Sequence, residues 1–242
     1  MIDIAQGIVI HVIKYSDKKL IIKVLCKRYG LKSGMVYISK SQKSNNQHLF
    51  QPLRIIDFQS DFQELNRFIS IKTPSLSMPL HNIATDPAKT AMVLFMNEVL
   101  AKTIADDYVN DSLFMYLKNS IALLDDAIDA RNFHLWWLME ITRHYGFYPQ
   151  KDEAEHNSPC FFDMLAGSFT HTRPNHPNHL DQEPATHLRQ LINLEWPQAQ
   201  VIQLHSSIRA ELLNGLITYL KLHLDNLREI KSLDVLHAVF HE

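Results

Sequence analysis

The sequence predicts an α+β chain: a small five-stranded β-barrel in residues 1–80, followed by an all-α helical domain in residues 81–242. Three observations carry that reading. Apolar residues recur with a period of two up to residue 71, and with a helical period from residue 86 onward. Charge changes sign in the same region: residues 1–80 hold 12 Lys and Arg against 5 Asp and Glu, and the remainder holds 12 against 21. A length of 242 residues, 46% of them hydrophobic, is enough for a packed core in each half.

The strands follow from alternation. Ile8, Ile10 and Val12 alternate with Val9, His11 and Ile13 in a first strand. In Lys18–Lys27, Leu20, Ile22, Val24 and Cys26 point one way; Lys19, Ile21, Lys23, Leu25 and Lys27 point the other, so three lysines share a face. Gly30 and Gly34 bracket a turn before Met35–Ile38, and Leu53–Phe58 and Leu65–Ile71 supply two more strands. Five short strands in so few residues, with no strong helical pattern between them, predict a closed barrel.

The helices begin at Asp86, a capping residue, and Pro87, which suits a first helical position. Ala88, Met92, Phe95, Val99 and Thr103 then form an apolar stripe, widened by Leu100 and Ile104. A second helix starts at Asn110–Ser112 and aligns Leu113, Leu117, Ile121, Leu124 and Ile128. A third spans Phe133–Tyr145, closed by Gly146 and stopped by Pro149. Residues 147–182, with Pro149, Pro159, Pro174 and Pro177, read as an irregular inserted segment. Leu213, Leu216, Leu220, Leu224 and Leu227 mark the last long helix, and Leu233–Phe240 a short closing one.

Composition excludes several functions. With six glycines in all, and Gly30–Gly34 lacking the Lys-Ser/Thr ending, no phosphate loop is present. Neither a G-x-S-x-G elbow nor an H-E-x-x-H helix occurs. No apolar run approaches the ~18–20 residues of a membrane span, and no basic stretch precedes an apolar one at the N-terminus, so neither membrane nor secretion is expected. Two distant cysteines, Cys26 and Cys160, exclude a disulfide framework and suit a reducing cytoplasm.

Three clusters could carry chemistry. Asp125-Asp126-Ala127-Ile128-Asp129 sets two carboxylates four residues apart, where a helix face could hold Mg²⁺ on a diphosphate. A metal-dependent enzyme is therefore the alternative function, set against a plain solvated helix end with no second copy of the cluster. Cys160, His171, His176 and His179 are four potential ligands within twenty residues, but their spacing matches no common zinc module, and no metal or other cofactor is assigned. Trp136 and Trp137 fall within a helical stripe and read as core. The third cluster is the basic half, where residues 14–43 carry nine cations and Asp17 alone as counter-charge. Cations with interleaved aromatics on a small barrel match what a nucleic-acid groove requires. The candidate DNA contacts are Lys14, Lys19, Lys23, Lys27, Arg28, Lys32, Lys40, Lys43 and Arg54, with Tyr37 and Phe50 as stacking candidates. A purely protein-binding adaptor without DNA affinity is the remaining alternative.

Gly7-Ile8-Val9-Ile10, Lys14-Tyr15-Ser16-Asp17, Leu20–Leu25 and Tyr29-Gly30, in that order, resemble the opening strands and turn of the RecO family of bacterial recombination mediators. Lys40–Lys43 and Leu49-Phe50-Gln51-Pro52-Leu53 look like its basic loop and the strand start after it. Tyr219–Leu222-His223 and Lys231-Ser232-Leu233-Asp234-Val235-Leu236 resemble its closing segments. The resemblance implies an N-terminal OB-fold, a helical domain and a non-catalytic role in RecF-type repair. It also implies binding of single- and double-stranded DNA, strand annealing, and loading of RecA together with RecR. Contact with the C-terminal tail of the single-stranded-DNA-binding protein follows too, in a cytoplasmic, nucleoid-associated setting. Many relatives carry a four-cysteine zinc module between the helices; this chain has only Cys160 there, so zinc is not carried over.

Overall fold

Alternating apolar residues make β1 (Ile2–Ser16), β2 (Lys19–Cys26) and β3 (Gly30–Tyr37) an antiparallel meander. The computed structural model describes residues 2–37, 47–62, 68–105, 109–150, 159–196, 198–225 and 227–240. With β4 (Ile55–Asp61), β5 (Phe68–Ser70) and β6 (Lys72–Leu76), the strands form one curled sheet ordered β5-β3-β2-β1-β4-β6. This is the OB-like half, followed by a helical one, that the sequence predicts. The strand count is six rather than five. The extra strand, Lys-Thr-Pro-Ser-Leu, lies at the sheet edge and is largely exposed, so it has no apolar alternation to betray it. β1 also runs longer than its apolar stretch, because its first half pairs with β4 and its second with β2.

The barrel core gathers Val9, Ile22, Val24, Cys26, Val36, Phe50, Ile56, Phe58, Ile69 and Ile71. Burial pushes the Cys26 thiol up to about 12, opposed only by the nearby Lys32 charge, so the sulfur is an inert apolar group. Packing around Gly7 is tight: a Cβ there would sit 2.4 Å from Val24 Cγ2 and 3.2 Å from Phe58 Cε1. Gly7→Ala is expected to cost about 1–3 kcal/mol through overpacking. Urea denaturation checks it, and an unchanged midpoint would contradict the packing argument.

Two compact units emerge, Met1–Thr85 with Val93–Asp125, and Asp86–Met92 with Asp126–Glu242. Helix α1 (Pro87–Thr103) is capped as its sequence predicts, Asp86 Oδ1 accepting from the Ala88 and Lys89 N–H groups. Helix α2 (Asp111–Asp126) buries Leu113, Leu117, Ile121 and Leu124. Ile128 was expected on that stripe, but the helix ends at Asp126 and Ile128 is 97% exposed.

In the second unit, α3 (Phe133–Tyr145) closes on Gly146 at φ 87°, whose N–H and that of Phe147 reach back to Arg143 and Thr142 carbonyls. The remaining helices are α4 (Gln182–Ile192), α5 (Ser206–His223) and α6 (Ser232–Phe240). Helix α5 stops before Leu224 and Leu227, which continue its spacing only in sequence. The segment read as irregular contains a small sheet ordered β8-β7-β9: β7 (Phe161–Asp163), β8 (Ser168–Thr170) and β9 (His179–Leu180). Strands of two or three residues are too short to show alternation. Trp136 and Trp137 are buried, Trp136 packing on Phe133 and Trp196.

His134 is fully buried in α3, its ring stacked on Phe240. Burial, and then the charges of Arg209 and His237, push its imidazole down to about 3. The unfolded chain therefore binds a proton that the folded one refuses. Stability contributed by neutral His134 is present above about pH 6.5 and is lost as pH falls toward 3, at up to about 1.4 kcal/mol per pH unit. Denaturation at pH 7 and 5 should differ by about 2 kcal/mol from this group alone, and His134→Phe should flatten the profile. An identical slope in that variant would overturn the assignment.

Candidate nucleic-acid interface

Strand pairing fixes which side of the sheet each basic residue occupies. Paired residues share a face, and the core residues Ile22 and Val24 mark the inward one. Lys19 and Lys23 lie on the opposite, outward face of β2, together with Ile21 between them. Lys19 is paired with Tyr37, and its Nζ lies 5.1 Å from the Tyr37 ring centroid, a cation–π contact. Lys23 sits between His11 of β1 and Ser33 of β3. Ile13, Ile21 and Met35 form the rank between those two. On β5, Phe68 is paired with Ser33 and thus extends the same face.

The other candidates are dispersed. Lys14 is paired with Leu20, which places it on the inward side at the exposed strand end, where its Nζ lies 2.9 Å from Asp17. Lys32 is paired with Val24 and is half-buried near Cys26, also inward. The expected lysine trio is therefore a pair: Lys27 lies beyond the end of β2, with Arg28, in the turn to β3. Leu25 and Leu31 are buried at that end, so the outward face there is covered. The Arg54 guanidinium donates twice to Gln51 Oε1. Phe50 is a correction. Its ring is 4% exposed in the barrel core and has no face to offer a base. Lys40 and Lys43 lie outside the described residues.

His11 and Phe68 were missed. Phe68 precedes Ile69 and Ile71, both core, so alternation alone would have turned it outward. His11 needed the bulge between Val9 and His11, which the sequence does not reveal.

The aspartate cluster is taken apart by its partners. Asp125, 5% exposed, accepts from the backbone N–H groups of His81, Asn82 and Ile83 at 2.9, 2.8 and 2.8 Å. Asp129 is forked by Arg131, whose hydrogen bonds hold its carboxyl below the usual range. No group of three or more metal-ligating side chains forms among the described residues. Of the histidines, His176 Nε2 meets Asp163 Oδ2 at 3.2 Å, His179 Nδ1 meets the His176 carbonyl at 2.6 Å, and His171 Nδ1 meets the Pro159 carbonyl at 3.1 Å. Cys160 is buried. These residues do not fit a four-cysteine zinc site.

The family model described as recombination protein O N terminal matches residues 1–73, and that described as recombination protein O C terminal matches residues 84–234. The chain belongs to the RecO family. A DNA repair protein RecO from Bacteroides fragilis is 35% identical over 243 residues, covering 99% of this chain and 100% of the relative. One from Flavobacterium psychrophilum is 36% identical, over 97% and 98%. One from Phocaeicola vulgatus is 32% identical, over 99% and 100%. By name, each of these relatives is a DNA repair protein. No helix among the described residues is long and apolar enough to cross a membrane.

Proposed function

We propose that this RecO-family chain is a non-catalytic mediator of DNA repair and recombination that binds single- and double-stranded DNA through residues 1–80. The observation that carries this reading is the outward face of the meander, where Lys19 stands beside Tyr37, Lys23 stands two ranks away between His11 and Ser33, and no acidic residue occupies those ranks. Annealing needs no bond chemistry. A surface that neutralises phosphates lowers the repulsion between two strands, and the counterions released make affinity fall with salt. Base specificity is not expected, since a sheet face carries no recognition helix for a groove. Loading of RecA with RecR, and contact with the tail of the single-stranded-DNA-binding protein, fall to residues 81–242, whose acidic balance disfavours DNA.

The test is anisotropy of a labelled single-stranded oligonucleotide at about 50 and 200 mM salt, with affinity expected to fall by at least 10-fold between them. Absence of binding at low salt, with a folded partner still captured, would establish the adaptor alternative instead. Turnover of a diphosphate with Mg²⁺, abolished by Asp126→Ala, would establish the enzyme.

A further inference from the structure

Arg209 on α5 is a buried cation whose hydrogen bonds go only to neutral groups. Its guanidinium donates to Asn132 Oδ1 at 3.3 Å and to the Leu204 carbonyl at 2.9 Å, and among the described residues no carboxylate pairs with it. The charge of Asp129 reaches it, but the Asp129 oxygens are forked by Arg131, whose own charge opposes that effect. A buried charge without a counter-charge is costly, so a fold that keeps one needs an anion beside it.

The same side chain lines a cavity between α3, α5 and α6, and no acidic residue lies among the walls. His134 and Ser206 line it too. His134 is 1% exposed, and its Nδ1 has no hydrogen-bond partner. Both residues stand in the first turn of their helices, α3 and α5, where free backbone N–H groups and the helix dipole favour negative charge. The other walls include Leu213, Leu236 and Phe240, and the space left open admits about one water-sized sphere.

We infer that this cavity is a site for a monatomic anion, chloride, held by the Arg209 guanidinium, His134 Nδ1 and the Ser206 hydroxyl. Size and lining decide the class. A phosphate or a carboxylate needs room for several heavy atoms and more donors than these apolar walls supply. Chloride is only slightly larger than water, is weakly hydrated, and tolerates C–H groups on its remaining sides. Water would fit as well, but it would leave the Arg209 charge uncompensated. The anion would also fasten α6, of which Leu236 alone is fully buried and whose Phe240 ring lies against His134. The site is independent of the DNA-binding reading.

The experiment uses the full chain in sodium gluconate at constant ionic strength, with chloride, bromide or phosphate replacing gluconate. The ³⁵Cl NMR line should broaden in proportion to protein, and bromide should reverse the broadening by competing for the site. The melting temperature should rise saturably with chloride, by about 3–6 °C at a tenfold excess over Kd, and phosphate should give no such saturable rise. Arg209→Gln should abolish both effects. His134→Phe keeps a ring against Phe240 but removes the donor, and should weaken chloride binding about 10-fold. Lys221→Ala, an exposed cation near the other end of α5, should change neither readout. Absence of saturable broadening means that water fills the cavity, and overturns the site. Broadening that survives in both cavity variants, or falls equally in Lys221→Ala, places chloride on surface cations and overturns it too. Phosphate that stabilises as chloride does overturns the monatomic assignment. Should Arg209→Gln fail to fold, the comparison of His134→Phe with the parent decides between these outcomes.

Discussion

Asp125→Ala is expected to remove about 3 kcal/mol of folding stability, a large single-residue effect. Three backbone N–H groups converge on this carboxylate, and a methyl group accepts none of them. His81 and Asn82 are exposed, so water recovers part of what they lose; Ile83 is buried, and its N–H is left without an acceptor. The Asn82 side chain also donates to the Asp125 carbonyl, so the 81–83 segment is tied to the end of α2 from both directions. Asp125→Asn keeps one acceptor oxygen but turns an amide donor toward the backbone donors, and should fall between alanine and the parent. Asp126→Ala, at an exposed neighbour, should stay within about 0.5 kcal/mol. Urea denaturation of the three variants gives the ranking, and a loss below about 1 kcal/mol for Asp125→Ala would falsify the anchor.

Asp125 also shows where sequence reasoning stops. Spacing put Asp125 and Asp129 on one helical face, but the helix ends at Asp126 and each carboxylate is committed to a partner 40 or more residues distant or two residues away. A long-range backbone partner leaves no trace in local sequence. The features that were legible are those that local physics controls. Asp86 and Pro87 start α1 where they stand, Gly146 ends α3, and alternation in β2 separates Ile22 and Val24 from Lys19 and Lys23. What was not legible depended on pairing. Lys14 and Lys32 share charge and proximity with Lys19, yet their partners Leu20 and Val24 put them on the inward side. Phe50 resembled an exposed aromatic after a basic loop, and only its place beside Phe58 and Val9 in the core cluster shows otherwise. The β7–β9 sheet is held by two- and three-residue ladders and by Gly215, whose missing Cβ would stand 2.5 Å from Leu180 Cδ2. None of that is periodic.

Reversing Lys19, Lys23 and Lys27 to glutamate is expected to weaken single-strand binding by at least 100-fold at about 50 mM salt, since charge reversal replaces attraction with repulsion at each site. Neutral variants separate the faces. A phosphate contact on a single strand contributes about 0.7 to the slope of log affinity against log salt, so Lys19→Ala with Lys23→Ala should lower that slope by about 1.4. Adding Lys27→Ala should lower it little further, because Lys27 lies in the turn at the covered end of the sheet. Lys14→Ala with Lys32→Ala removes the same formal charge from the same 80 residues, but from the inward side, where Lys14 is already paired with Asp17 and Lys32 is half-buried. That pair should leave the slope within about 0.3 of the parent. Net charge is matched between the two double variants, so a general loss of electrostatic attraction lowers both slopes equally. Only a ligand lying along the outward ranks distinguishes them, and equal slopes would mean that DNA meets the barrel's charge without meeting this face.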